Sequence, residues 1–372
     1  MIIMALDHTR DFFTDPSINP LDLTRTTPQL FFTRWITHYC APVFVFLAGA
    51  SSFMAVGRRE SKQEAARFLL TRGLWLVFAE LTIVNFGWTF NIHYGFLMLQ
   101  VIWAIGWSMV VLAGLIFLPP RYIAAIGLIL VIGHNALDSI KGDSFGSMKF
   151  LWSVIHEQDI FQLPGNRILL VAYPLVPWIG VMAVGYVFGN LFTIGSVKRK
   201  TILLRIGLAC VSAFILLRWI NVYGDPLGWH VQDTWWKTIG SFVNCQKYPP
   251  SLLYLLMTIG PAILVLAALE KTNNQQAEGK GYAILEVYGR VPFFYYLLHI
   301  YLLHSMIFVV ALITHYDLRH FTNNPMGAPP GWTFNLWTVY LLWLIAVTVL
   351  YFPCKWFMKV KARRKDWWLS YL

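Results

Sequence analysis

Asp7, His8 and Asp11 lie at one end of a short apolar stretch, Met1 to Leu6, and Arg34 and His38 lie near the start of the next one. An imidazole titrates close to neutral pH and can act as general base, nucleophile or acyl carrier. His8 is the first candidate for that chemistry, with Asp7 or Asp11 as the carboxylate that fixes its tautomer if the helix continues past Leu6. The bland alternative is a histidine at a membrane interface. Arg34 precedes His38 by one helical turn and Pro42 follows it by one. Proline has no N–H, so the carbonyl of His38 loses its helical partner and a kink is expected there. Arg34, His38 and that carbonyl would share one face, able to position an acceptor or stabilise a developing oxyanion. The competing reading is a kinked core helix with an incidental polar pair.

A second set lies late in the chain. Gly289 to His299 places Tyr295 and His299 on one helical face, with Arg290 at the mouth of the helix and His304 on another face. Arg72 is a comparable lone cation at the start of an earlier apolar run. Arginines at such positions often extend to lipid headgroups, but together they could also bind the phosphates of a cytosolic cofactor.

The elements that carry these residues follow from composition. Of 372 residues, 57% are hydrophobic and 13% charged, where a soluble domain carries about 25% charged residues. That balance, with 17 tryptophans and 17 tyrosines suited to the headgroup region, implies an all-α polytopic membrane bundle. Long continuous apolar runs exclude a porin-like barrel. The net charge of +11 collects at the ends of apolar runs and so reads as a topology signal, not as a nucleic-acid surface. Four scattered cysteines and the histidine spacing give neither a disulfide framework nor a metal site.

A span needs roughly 20 apolar residues. Complete spans are predicted at 35–56, 68–90, 95–117, 122–139, 168–194, 202–222, 250–269, 291–313 and 336–358, about ten passes with the truncated first one, in a single domain over residues 1–372. The short first pass leads to the expectation that the natural start lies upstream of Met1. Basic loops at Arg58 to Arg67, Arg121, Lys198 to Lys200, Lys271, Lys280 and Lys359 to Lys365 fall on one side under that count, which is expected to be cytoplasmic. His8 and the longer loops near 140–167, 223–249 and 314–335 fall on the other. Two prolines within Tyr173 to Gly180 are expected to break a helix, Lys247 to Ser251 to stiffen a helix entrance with proline near its first turn, and His134, Asn135 and Asp138 to make structural hydrogen bonds.

Asp7 to Phe13, Thr33 to Gly49, Tyr173 to Gly180 and Lys247 to Ser251 together resemble bacterial members of the heparan-alpha-glucosaminide N-acetyltransferase catalytic-domain family. The resemblance extends from residue 1 to about residue 300. It implies a transmembrane acyltransferase that moves an acetyl group from cytosolic acetyl-CoA to a sugar or glycolipid acceptor across the bacterial inner membrane, with both termini of the full-length protein cytoplasmic. It gives His8 the catalytic part. From the residues themselves, Asp7, Asp11, Arg34 and His38 are expected to support it, and Arg72, Arg290, Tyr295 and His299 to lie on the donor side. Family members carry an Ile-Asp-x-Leu-Arg-Gly-like segment before the run leading to His8; this chain does not. The lysosomal enzyme's proposed histidine, in the following luminal loop, has no counterpart between His8 and His38. The heparan acceptor is therefore not carried over, and a cell-envelope glycan or glycolipid is the class expected. The partners implied are membrane lipids and that acceptor, without nucleic acid or metal and with a homodimer allowed. A transporter with a His/Arg path and a silent membrane scaffold are the rival readings.

Overall fold

Apolar runs bounded by capping residues set most of the helices. Thr27 caps the helix that starts at Pro28, Ser61 the one that starts at Lys62, and Ser251 the one that starts at Leu252, each through its side-chain oxygen. The computed structural model describes residues 1–15, 17–270, 279–319, 321, 331–364 and 366–371. In chain order the helices are α1 (Ile2–Phe13), α2 (Pro28–Ile36), α3 (Cys40–Val56), α4 (Lys62–Ala79), α5 (Asn85–Thr89), α6 (Val101–Leu115), α7 (Pro120–Gly133) and α8 (Lys149–Ile155). Then come α9 (Leu175–Phe188), α10 (Ser196–Ile220), α11 (Trp235–Val243), α12 (Leu252–Leu269), α13 (Lys280–Arg290), α14 (Pro292–Ile313) and α15 (Leu336–Arg363). Eight helical stretches among the described residues are long and apolar enough to cross a membrane. The protein is an all-α polytopic bundle.

The expected span at 95–117 is the exception. Its helical part, α6, has only 15 residues, and Phe96–Leu99 forms a strand, β1, instead. Two further strands, β2 (Asp159–Leu163) and β3 (Arg167–Val171), complete a small sheet in the order β1–β3–β2. β3 also occupies the start of the span expected at 168–194. Apolar continuity cannot tell a buried strand from a buried helix, and here Leu99, Leu169 and Val171 make a small core of their own. The two prolines after Tyr173 do not break a helix. Pro174 caps α9 and Pro177 sits in its first turn, where no N–H partner is needed. Pro250 lies before the cap residue Ser251 and not inside the first turn of α12.

Contacts divide the chain into two units. One comprises Met1–Cys40, Thr82–Phe96 and Gln275–Leu372; the other comprises Ala41–Leu81 and Leu97–Asn274. In the first, α1 packs on α14 and α15. Leu6, Phe13, Ile307, Ala311, Trp332 and Val339 are buried together there. The indole N–H groups of Trp332 and Trp343 donate to the carbonyls of Phe12 at 3.0 Å and Ile2 at 2.9 Å, one near each end of α1. The apolar stub is therefore the first half of a helix that continues to Phe13.

In the second unit, helix pairs meet at glycines. A Cβ on Gly73 of α4 would come within 2.6 Å of the Gly106 carbonyl oxygen of α6, and one on Gly106 within 2.8 Å of the Gly73 oxygen. Gly49 of α3 and Gly185 of α9 approach the facing backbone as closely. Small residues allow this proximity, which replaces the hydrophobic drive that lipid cannot supply between helices. His134, Asn135 and Asp138 play the structural part expected of them. His134 Nε2 lies 2.9 Å from the Pro250 carbonyl, and Asn135 accepts from the Leu252 N–H at 2.8 Å and donates to Asp138 at 2.7 Å. A hub not anticipated from the sequence is Arg218, 1% exposed at the end of α10. Its guanidinium donates to the carbonyls of Leu227, Ser241, Phe242 and Asn244 and so ties down the loop from residue 221 to residue 244.

Gly73→Ala is expected to destabilise the protein by about 1–3 kcal/mol through overpacking. Gly114→Ala, where an added Cβ meets nothing within 4 Å, should be neutral or slightly stabilising. Thermal unfolding of both variants in detergent checks the pair.

Candidate functional site

α1 continues through Asp7, His8 and Asp11, so these residues fan around a helix. Asp7 and Arg10, three apart, share one face, and Arg10 Nη2 lies 3.1 Å from Asp7 Oδ1. Arg10 also pairs with Asp11. Arg34 of α2 reaches the same carboxylate, with Nη1 donating to Asp7 Oδ1 at 2.6 Å and contacting Oδ2 as well. The Asp7 and Arg34 side chains are only 9% and 13% exposed. Two carboxylates and two guanidinium groups thus neutralise one another where α1 meets α2.

His8 lies one residue on, turned by about 100° from Asp7 around the helix. It faces α14. Its Nδ1 is 2.7 Å from Nε2 of His299, with the rings stacked at 4.9 Å and 16°. Trp88 stands edge-on at 4.7 Å and Tyr296 at 6.4 Å. The sequence reading offered Asp7 or Asp11 as partner for this imidazole. The structure brings another imidazole there, and the Asp7 carboxylate goes to Arg34 and Arg10.

The tautomers follow from the acceptor at the end of the chain. His299 is fully buried, and its Nδ1 lies 3.1 Å from the Tyr295 carbonyl. A carbonyl only accepts, so Nδ1 of His299 carries the proton and, in the neutral ring, Nε2 presents a lone pair. Nδ1 of His8 then donates to it, and the lone pair of His8 resides on Nε2. That is the arrangement of a general base or nucleophile whose tautomer is held by its neighbour.

The remaining expected residues separate. His38 is fully buried on the 3-10 turn Thr37–Tyr39 between α2 and α3, where the kink before Pro42 was expected. Tyr295 and His299 were placed with the donor-side arginines; instead Tyr295 stacks on His299 at 5.4 Å and 9°, and both belong with His8. Arg290 is exposed and held by Glu286 at 2.6 Å in its own helix, as a surface pair would be. Arg72 lies in the other unit, half-buried, 6.0 Å from the Phe68 ring centre. His304 is set apart, with Nδ1 2.9 Å from the Gly87 carbonyl and its ring stacked on Phe90 at 4.0 Å. Among the described residues no cluster of three or more His, Cys, Asp or Glu could hold a metal ion.

Arg10, one of the two arginines of the ionisable cluster in the sequence, was given no role, and Trp88 was missed. The Asp7–Arg10 spacing was available as a signal in the sequence. Nothing local marks Trp88, one of 17 tryptophans, as a neighbour of His8.

Spanning helices, with a half-buried His8 and a buried His299 beside a neutralised ion cluster, define a multi-pass membrane protein. The family model described as heparan-alpha-glucosaminide N-acetyltransferase, catalytic, matches residues 1–220. That is more than half of the chain, which therefore belongs to this family of transmembrane acetyltransferase-like enzymes. The matched region holds Asp7, His8, Asp11, Arg34, His38 and Arg72, whereas Arg290, Tyr295 and His299 lie beyond it. No curated protein and no solved structure matched the chain.

Removing Arg34 leaves the buried Asp7 carboxylate to Arg10, a cation it shares with Asp11, so one negative charge of the cluster is no longer balanced. Arg34→Met is expected to cost about 3–5 kcal/mol of stability, and the double variant Asp7→Asn/Arg34→Met to recover most of it. A double-mutant cycle of unfolding midpoints checks this; equal losses in the single and double variants would contradict it.

Proposed function

We propose that the protein transfers an acetyl group from acetyl-CoA, supplied on the cytoplasmic side, to a sugar or glycolipid acceptor on the outer side of a bacterial inner membrane. The observation that carries this reading is the 2.7 Å contact between His8 Nδ1 and His299 Nε2, which leaves the lone pair of His8 on Nε2. His8 takes the proton of the acceptor hydroxyl or amine as the acceptor oxygen or nitrogen bonds to the thioester carbonyl carbon. Alternatively it receives the acetyl group itself on Nε2 and passes it on. In the direct route the C–S bond breaks and the proton that His8 took from the acceptor passes to the departing thiolate. In the acetyl-histidine route Nε2 displaces the thiolate, which takes its proton from water; the acceptor then attacks the acetyl-imidazolium and its proton passes to the freed Nε2 and on to water. His299 holds the tautomer of His8 and shares the charge of the imidazolium. Arg34, fixed by Asp7, and His38 position the acceptor or polarise the carbonyl oxygen. Asp11 acts through Arg10. Arg72 and Arg290 are the side chains put forward for the donor's phosphates; Arg290 would have to exchange Glu286 for phosphate to serve. Acetyltransferase family membership supports an acyl-CoA donor in general.

His8→Ala is expected to lower acetyl transfer by about 10²–10⁴-fold while donor binding persists, because a positioned base contributes that much. His299→Ala should lose less and should shift the pH–rate profile, because His8 loses the partner that fixes its tautomer. In the same preparations Arg72→Ala or Arg290→Ala should weaken donor binding by roughly tenfold or more if either contacts phosphate. Slow hydrolysis of the donor thioester gives a first assay without a known acceptor. Full turnover in His8→Ala, with a dead His38→Ala, would move the catalytic centre to His38.

The C-terminus is taken as cytoplasmic, with the end of α1 on the outer side. In a background without native cysteines, single cysteines at positions 14 and 363 should be labelled by an impermeant reagent from opposite sides of the membrane. Labelling of both from one side would overturn the ten-pass arrangement.

A further inference from the structure

The second unit contains a cavity of about 190 Å³, lined in part by Asp138, His156, Glu157, Gln158, Gln246 and Tyr248. None of its lining residues belongs to the unit that holds His8. We infer that it is a binding site for a single sugar ring, a subsite for a hydroxyl-rich ligand separate from the histidine pair.

Size comes first. A cavity of about 150 Å³ accepts benzene, so this one, which is open on one side, has room to seat one six-membered ring while anything attached to it extends outward. Its walls then select the kind of ring. Asp138 accepts from Asn135 at 2.7 Å and stands 3.2 Å from His156 Nε2, while Glu157 accepts from the Gly142 N–H at 2.7 Å. These contacts fix the two carboxylates and leave each with acceptor capacity, since a carboxylate offers about four lone-pair sites. The Gln158 and Gln246 amides add donors and acceptors. Tyr248 and Pro249, on the same wall, present an apolar surface. Carboxylates and amides together with the Tyr248 ring and Pro249 suit a molecule that carries both hydroxyls and C–H surface, which describes a pyranose.

Other ligands fit less well. An apolar ring would leave the wall's polar groups without partners, at about 1–3 kcal/mol each. An anion would meet two carboxylates against one lysine, Lys141, which is itself 3.7 Å from Glu157. A metal ion lacks a ligand set, because no group of three metal-binding side chains occurs among the described residues. The inference shares its ligand class with the acceptor reading above but rests on a different observation.

The experiment uses the full chain in phosphatidylcholine nanodiscs, free of sugar detergents. Saturation-transfer NMR is recorded with D-glucose, N-acetyl-D-glucosamine and octyl glucoside below its micelle concentration. The expected result is saturable transfer to the ring protons of at least one probe, weakened about tenfold by Asp138→Asn or Gln158→Ala. Ile140→Trp, at the exposed rim, should block it without removing a polar contact. Unfolding midpoints verify that each variant is folded, and Ile140→Trp serves alone if the polar variants are not. Binding of the free sugars indicates a soluble glycan as the source; binding of octyl glucoside alone indicates a glycolipid. His8→Ala should leave binding intact. The inference is overturned if no probe binds, or if binding survives Ile140→Trp and Asp138→Asn. Binding lost only in His8→Ala would place the sugar at the histidine pair, overturning this site while leaving the acetyl-transfer reading in place.

Discussion

Neutralisation of buried charge governs the first unit. Asp7, Arg10, Asp11 and Arg34 sum to zero, and the most buried of them, Asp7 and Arg10, contact each other directly. Removing a lone carboxylate or guanidinium from water costs several kcal/mol even after relaxation. The cluster therefore persists only if α1 and α2 keep their register. Because Asp7 is committed to Arg34, the rotation of α1 about its axis is set, and with it the direction of the next residue. His8 faces α14 because Asp7 faces α2.

The imidazole pair follows a different rule. A His–His–carbonyl chain can be neutral throughout, so burying it carries no charge penalty before reaction. A carboxylate in the place of His299 would bring a net charge into the same setting. The Asp7 and Asp11 carboxylates are spent on arginines, and the orientation of His8 is delegated to a ring whose own proton is anchored on the Tyr295 carbonyl. Trp88 and Tyr296 complete the surroundings and limit the rotation of the His8 ring.

How much of this could be read in the sequence depends on the range of each interaction. Spanning helices are local: continuous apolar runs between basic loops gave the bundle and nearly all of its spans. The His38 kink was legible because Pro42 removes a specific N–H. Phe96 to Leu99 was not, since its apolar character fits strand and helix alike and the partner strand lies near residue 170. The His8–His299 contact joins positions 291 residues apart, and no spacing rule connects them. His299, inside a candidate span, was singled out but grouped with the donor side, whereas it lies against His8. The glycine contacts were equally hidden, because Gly73 and Gly114 look alike in sequence and differ only in what faces them.

The two arrangements bear differently on catalysis. An ion cluster that is neutral, with Asp7, Arg10 and Arg34 largely buried, can hold Arg34 rigid, and rigidity is what makes a cation effective towards a charge that develops only in the transition state. A mobile arginine would reorganise at the moment of reaction and lose much of that effect. The Asp7–Arg34 contact thus weakens the field of the guanidinium but fixes its place. An imidazole whose tautomer is set before substrate arrives gains in the same way. If acetyl transfer proceeds at His8, it does so with both the base and the nearest cation already in position, and the cost of ordering them was met when the first unit folded.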